Sequence, residues 1–142
     1  MVETVLVPVD GSSHSRRALQ FATRTFADAE VVVLHVVDPF EVIDGPGEEA
    51  WNRDVADQHE RDAETLLEEY VELAGDDVPV RTELRHGTPS RAIVGAADDL
   101  DVDHVVIGSR GRTGVGRVLL GSVAETVARR APTSVTIVRG DD

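Results

Sequence analysis

Residues 4–13 read TVLVPVDGSS, an apolar and β-branched run that is followed directly by a polar turn. A short run of this kind predicts a buried strand, and Pro8 fits near its end, where a missing N–H leaves no gap in the sheet. Ser12 and Ser13 are typical of residues that cap a helix N-terminus. Apolar residues then recur at helical spacing, namely Ala18, Leu19, Ala22 and Phe26. The stretch therefore predicts a strand that leads through a capped turn into a helix.

The rest of the chain repeats this alternation of strands and helices. Residues 30–37, EVVVLHVV, are nearly all Val and Leu, as expected for a strand that is covered on both faces. The same criteria predict, in order, a long acidic helix that ends at Gly75, a strand over 78–85, a helix from Pro89 to about Leu100, a strand over 104–107, a helix from Ser122 to about Arg130 and a strand over 134–139. Because strands alternating with helices pair in parallel through right-handed crossovers, we expect an α/β fold with a doubly wound parallel sheet in one domain, residues 1–142.

The composition limits the class of protein. A chain of 142 residues with 41% apolar residues is large enough for one packed domain. No apolar run approaches the roughly 20 residues of a membrane span, and no secretory signal is visible at Met1. The absence of cysteine excludes disulfides, thiol catalysis and zinc–thiolate sites. These features predict a cytoplasmic protein that does not bind membranes.

The charge is strongly acidic and unevenly distributed. There are 27 acidic residues against 14 basic ones, all Arg, for a net charge of −13. Such a surface repels itself unless salt screens it, which favours a high-salt, halophilic cytosol, and it argues against nucleic-acid binding. Between Gly108 and Gly140, however, six Arg residues stand against one acidic residue, Glu125. This basic segment suits an anion, although chance clustering or internal ion pairs would also produce it.

The glycine-rich segment from Gly108 to Ser122 follows the fourth predicted strand and precedes a helix. Glycines in this place let backbone N–H groups approach an anion, and the helix directs its free N–H groups and positive dipole end to the same point. Arginines at positions 110, 112 and 117 either add charge-assisted bonds or face solvent. Ser122 and Glu125 have the spacing of a capping box, with or without a phosphate contact by Ser122. The segment therefore predicts a phosphate-binding loop.

Two common phosphate motifs are excluded. A Walker A loop needs a Lys, and the chain has none. The glycine pattern of dinucleotide-binding folds is missing after the first strand.

The spacing G-x2-G-x9-G-[S/T] is matched by Gly108, Gly111, Gly121 and Ser122. This spacing resembles the nucleotide motif of the universal stress protein family, specifically its ATP-binding branch. The resemblance extends over nearly the whole chain and includes the stretches 7–10, 34–38, 87–89, 103–108 and 135–138.

The resemblance implies a Rossmann-like sheet in the order 3-2-1-4-5, related to the adenine nucleotide alpha hydrolase fold. It also implies the ligand contacts. Pro8, Val9 and Asp10 would border the adenosine, with Asp10 bonding ribose or base unless it serves only at the helix entry. The remaining contacts are Val36 and Ile107 on the adenine, and Gly108, Ser109, Arg110, Gly111, Gly121, Ser122 and the N–H of Val123 around the phosphates.

In function, the resemblance implies a stress-response protein that binds ATP or a related adenine nucleotide, with Mg²⁺ on the phosphates. Its output would be a change of conformation or of protein partner, with no catalytic residue assigned and at most slow hydrolysis. A homodimer through strand 134–139 is implied, although Ser134 and Thr136 depart from the family pattern there. The alternatives are a nucleotide-free dimeric scaffold of the same fold and a flavodoxin-like electron carrier. Phe40 and Trp51, beside the predicted loop 38–49, are expected to cover the ligand or to anchor that loop.

Overall fold

Within the described residues, five strands form one parallel sheet in the order β3-β2-β1-β4-β5. The computed structural model describes residues 2–38, 53–110 and 120–139. The strands are β1 (Thr4–Pro8), β2 (Glu30–Val37), β3 (Val80–His86), β4 (His104–Gly108) and β5 (Ser134–Val138), and the helices are α1 (Ser13–Thr25), α2 (Arg53–Ala74), α3 (Pro89–Asp99) and α4 (Ser122–Arg130). The predicted fold class and strand order are confirmed.

The central strand β1 explains why the opening stretch is apolar at every position. Val5, Leu6 and Val7 are completely buried. Val5 and Val7 belong to the core on the side of α1 and α2, whereas Leu6 belongs to the core on the side of α3 and α4. Because side chains of a strand alternate between the two faces, a strand covered on both faces has to be apolar throughout.

Small residues allow the helices to pack closely on the sheet. In α1, Ala18 and Ala22 are fully buried beside Leu19. On the opposite face, Ala96 of α3 and Ala124 of α4 are buried in the second core. The apolar residues predicted at helical spacing therefore form the inner faces of the helices.

Some boundaries differ from the predicted ones. β3 begins at Val80 rather than at residue 78. The C=O of Pro79 accepts the N–H of Val31 at 2.9 Å, but Pro79 has no N–H to donate to the sheet in return, so the strand starts after it. β4 extends to Gly108. Thr88 is the N-cap of α3 as predicted, yet its side chain makes no capping hydrogen bond.

The outer strand β5 carries polar residues on the edge that we predicted for dimer pairing. Ser134 is exposed, but the hydroxyl of Thr136 lies 2.7 Å from Nε2 of His104 on the neighbouring strand. Thr136 is thus engaged within the sheet. Among the described residues, no helix is both long and apolar enough to cross a membrane.

Candidate functional site

The order of the strands creates a crevice where β1 and β4 end side by side. From β1 the chain continues to β2 on one side, whereas β4 and β5 lie on the other side. Pro8 pairs with Leu34, so β2 continues for three residues past the end of β1. A gap of roughly two strand spacings, about 10 Å, therefore opens between β2 and β4 beyond β1. Open α/β sheets bind their ligands at such a reversal of strand order.

The turn between β1 and α1 forms one wall of this crevice. The Oδ1 atom of Asp10 accepts the N–H of Ser12 at 3.0 Å, and Gly11 adopts a left-handed φ of +86° that suits glycine. The N-cap of α1 is Ser12, whose hydroxyl accepts the N–H of Ser15 at 3.1 Å. Asp10 thus stabilises the entry to α1 while its carboxylate lies at the end of β1.

Tyr70 of α2 holds this turn from behind, which the sequence did not predict. Its side chain is only 2% exposed, and its hydroxyl accepts the N–H of Gly11 at 3.1 Å. The same hydroxyl lies 2.5 Å from Oγ of Ser15. The Ser15 hydroxyl also lies within hydrogen-bond distance of the C=O of Ser12, at 3.0 Å. Burial raises the pKa of the Tyr70 hydroxyl above its ordinary value.

We expect Tyr70→Phe to destabilise the protein by about 1–2 kcal/mol, because the N–H of Gly11 loses its buried acceptor while the ring still packs. Urea unfolding at pH 7 measures this loss. The raised pKa gives a second readout. The contribution of Tyr70 to the free energy of unfolding is complete below about pH 10, the pKa of Tyr in the unfolded chain. It is lost as the pH rises through the higher pKa of the folded state. The variant should lack this alkaline loss, and a variant as stable as the wild type at pH 7 would contradict the assignment.

The end of β4 forms the other wall. A Cβ atom on Gly108 would lie 2.8 Å from the carbonyl carbon and from Cβ of His14, and 2.9 Å from its carbonyl oxygen. Real Cβ contacts are essentially never this short. The first turn of α1 can therefore lie against β4 only because residue 108 is glycine.

Ser109, only 3% exposed, is fixed by three hydrogen bonds. Its N–H donates to the C=O of Val138 at 2.8 Å, and its C=O accepts the N–H of Gly121 at 2.6 Å. Its Oγ lies 3.1 Å from Nδ1 of His14. The bond to Gly121 joins the two ends of the segment 110–120, so the predicted phosphate loop starts and finishes at one point.

The predicted capping box at α4 is wrong. The N-cap of α4 is Gly121, and no side chain caps the helix among residues 2–38, 53–110 and 120–139. The exposed Ser122 is the first residue of the helix, and the Glu125 carboxylate pairs with Arg129 at 2.7 Å instead of reaching back to the helix start. The N–H groups in the first turn of a helix have no partners within the helix, and no side chain of the described residues caps those of α4.

The structure brings most of the predicted contact residues to this crevice. Val36 and Ile107, the predicted adenine contacts, lie on the same face of the sheet on opposite sides of β1. The other predicted contacts that the structure describes lie at or just after the ends of β1 and β4 and around the start of α4, namely Pro8, Val9, Asp10, Gly108, Ser109, Arg110, Gly121, Ser122 and Val123. Gly111, with arginines 112 and 117, and the predicted lid residues Phe40 and Trp51, lie outside the described residues.

Sequence reasoning missed the residues that support the site from behind. They are His14, Ser15, Tyr70 and His35, whose Nδ1 donates to the C=O of Val9 at 2.8 Å. The spacing 14, 15, 18, 19, 22 in α1 is a helical face. His14 and Ser15 are polar but lie at the start of this otherwise apolar face, and that position indicates that their side chains are buried. In the part of the chain that is described, no three His, Asp or Glu residues are grouped as metal ligands.

Known proteins with related sequences identify the family. The model of the universal stress protein family matches residues 1–139. Universal stress protein MJ0531 of Methanocaldococcus jannaschii is 32% identical over 142 residues, which cover 98% of this chain and 83% of the relative. The solved structure of the protein MJ0577 superposes with a TM-score of 0.85 at 28% identity, covering 100% of this chain and 99% of the other. A universal stress protein solved in complex with cAMP gives a TM-score of 0.74 at 27% identity, with 99% of both chains covered. This chain belongs to the universal stress protein family.

Proposed function

We propose that this protein binds ATP or a related adenine nucleotide and acts in the stress response through a ligand-dependent change of conformation or partner. One observation carries the proposal. Two segments far apart in the sequence, the turn after β1 and the neck of the loop after β4, form the two walls of one crevice. A relative with the same fold was solved in complex with cAMP, an adenine nucleotide, which supports this ligand class.

Each wall suits a different part of the nucleotide. Val36 and Ile107 offer apolar surfaces to the adenine across the gap beyond β1. The Asp10 carboxylate, the only acid among the proposed contacts, would accept a ribose hydroxyl. The first N–H groups of α4, at Ser122 and Val123, have the polarity that phosphate oxygens need. Bound phosphates would bring Mg²⁺, whose ligands are mainly phosphate oxygens and water.

The proposal is one of binding and signalling rather than of catalysis. No catalytic residue is assigned, and any hydrolysis of bound ATP is expected to be slow. We also propose a cytoplasmic homodimer that pairs through strand 134–139 and a surface adapted to high salt. The net charge of −13 and the absence of Lys support the last point.

Gly121→Val tests the phosphate wall. We expect ATP affinity to fall at least about tenfold in isothermal titration calorimetry, because a branched side chain at the N-cap of α4 would crowd the first N–H groups of the helix, which the proposal assigns to the phosphates. Gly95→Ala in the middle of α3 is the control, since a Cβ atom there meets nothing within 4 Å. It should bind ATP like the wild type.

Two outcomes of this titration contradict the proposal in different ways. A wild-type protein with no saturable ATP binding would refute the function and favour a nucleotide-free scaffold. A Gly121→Val protein that binds ATP as tightly as the wild type would refute the phosphate loop alone.

A further inference from the structure

The first turn of α1 contacts both walls of the crevice through two consecutive buried residues. His14 and Ser15 are 6% and 4% exposed. Ser15 belongs to the wall after β1, where its Oγ lies 2.5 Å from the Tyr70 hydroxyl and accepts the N–H of Asp10 at 3.4 Å. His14 belongs to the other wall, where its Nδ1 lies 3.1 Å from Oγ of Ser109.

We infer that His14 is a positioning residue for the phosphate-binding loop, acting on bound phosphates through Ser109 rather than by contact. The inference rests on the proposed function and deepens it. It assigns the phosphate part of the ligand, and not the nucleoside part, to the bond between His14 and Ser109.

The geometry of Ser109 gives the reason. Two of its hydrogen bonds, to Val138 and to Gly121, are made by its backbone, so any residue except proline could make them at position 109. Of its hydrogen bonds to the described part of the chain, only the one to His14 depends on its side chain. Because Ser109 is the first residue after β4, this bond fixes the point at which the chain leaves the sheet.

The fit between α1 and β4 makes His14 the residue that can do this. The missing Cβ of Gly108 lets the backbone of His14 approach to within 3 Å of where that atom would be. The imidazole then reaches the next residue of the loop. A purely structural buried pair would make the same contact, but it would stabilise the whole protein and favour no part of the ligand.

The test compares ATP with adenosine, since adenosine has the base and ribose but no phosphate. Calorimetric affinities for both are measured with the wild type, His14→Leu and His14→Asn. Asn places an amide atom at about the position of Nδ1 and can keep a hydrogen bond to Ser109. In His14→Leu, binding of the phosphates would have to bring Ser109 into place, which we expect to cost about as much as one hydrogen bond, so ATP should bind about tenfold more weakly. Adenosine affinity should stay within about twofold, and His14→Asn should recover most of the ATP affinity.

Equal losses for ATP and adenosine, or no loss for ATP, would overturn the inference. If His14→Leu does not fold, His14→Phe keeps an aromatic ring but removes the bond to Ser109, and it is judged by the same ratio of affinities. A wild-type protein that binds ATP while its variants fail the comparison refutes only the role of His14. A wild-type protein that binds neither compound refutes the proposed function and this inference together.

Discussion

Gly108→Ala will destabilise the protein by about 3 kcal/mol, the upper end of the range for overpacked cores. The added methyl group would lie 2.8 Å from the carbonyl carbon of His14 and 2.9 Å from its carbonyl oxygen. Two of the three clashing atoms belong to the backbone, so no side-chain rotation relieves the contact. The start of α1 must move away from β4, and the hydrogen bond between His14 and Ser109 moves with it.

Gly95→Ala is the matched control for this prediction. It makes the same chemical change in α3, at a position where the new Cβ meets nothing within 4 Å. Alanine is better than glycine inside a helix by about 1 kcal/mol, so this variant should be as stable as the wild type or more so. Urea unfolding followed by circular dichroism measures both. If Gly108→Ala unfolds at the same urea concentration as the wild type, the close approach of α1 to β4 is wrong.

Raising KCl from 0.1 M to 2 M will stabilise the protein by about 3 kcal/mol at pH 7, because salt screens the repulsion within a chain of net charge −13. The helix α2 carries a large share of this negative charge. Eight acidic residues lie on this helix, all of them exposed. Among them Glu60, Glu64, Glu68 and Glu72 follow one another at intervals of four, and like charges at this spacing destabilise a helix by about 0.2–0.5 kcal/mol per pair.

A variant that lacks two of these negative charges separates the repulsion from general effects of salt. Glu64→Gln combined with Glu68→Gln breaks all three like-charged pairs of the row, so it should gain about 1 kcal/mol at 0.1 M KCl and respond less to added salt. Glu125→Gln is the control, because that carboxylate pairs with Arg129 at 2.7 Å and its loss should not stabilise the protein. A wild type that is equally stable at both salt concentrations would refute the proposed adaptation to high salt.

The fold could be predicted because its signals are local. The apolar run of β1, the nearly pure Val and Leu of β2 and the helical spacing between them are each visible within about ten residues, and parallel α/β topologies are few. Pro8 was expected near the end of the first strand because proline lacks an N–H, and β1 ends there. The same chemistry at Pro79 explains why β3 starts at Val80. The alternating pattern over residues 78–85 predicted an earlier start because it took no account of this proline.

The supporting contacts of the site could not be predicted from local signals. Tyr70 fits the apolar face of α2 by its spacing, and only the packing of α2 against α1 brings its hydroxyl to Gly11. The bond between His14 and Ser109 joins residues 95 positions apart. The capping box at Ser122 failed for a related reason. Its residue types and spacing were right, but the backbone makes Gly121 the N-cap, one position earlier than the motif requires.

The central claim is that an adenine nucleotide binds where β1 and β4 end. Titration of ¹⁵N-labelled protein with ATP, followed by amide chemical shifts, tests it most directly. We predict saturable shifts at Val9, Asp10, Ser109 and Val123. We predict none at Thr4 and Asp103, which lie at the opposite end of the strands, where β1 and β4 begin. Saturable shifts confined to that opposite end of the strands, or no shifts anywhere at millimolar ATP, would contradict the claim.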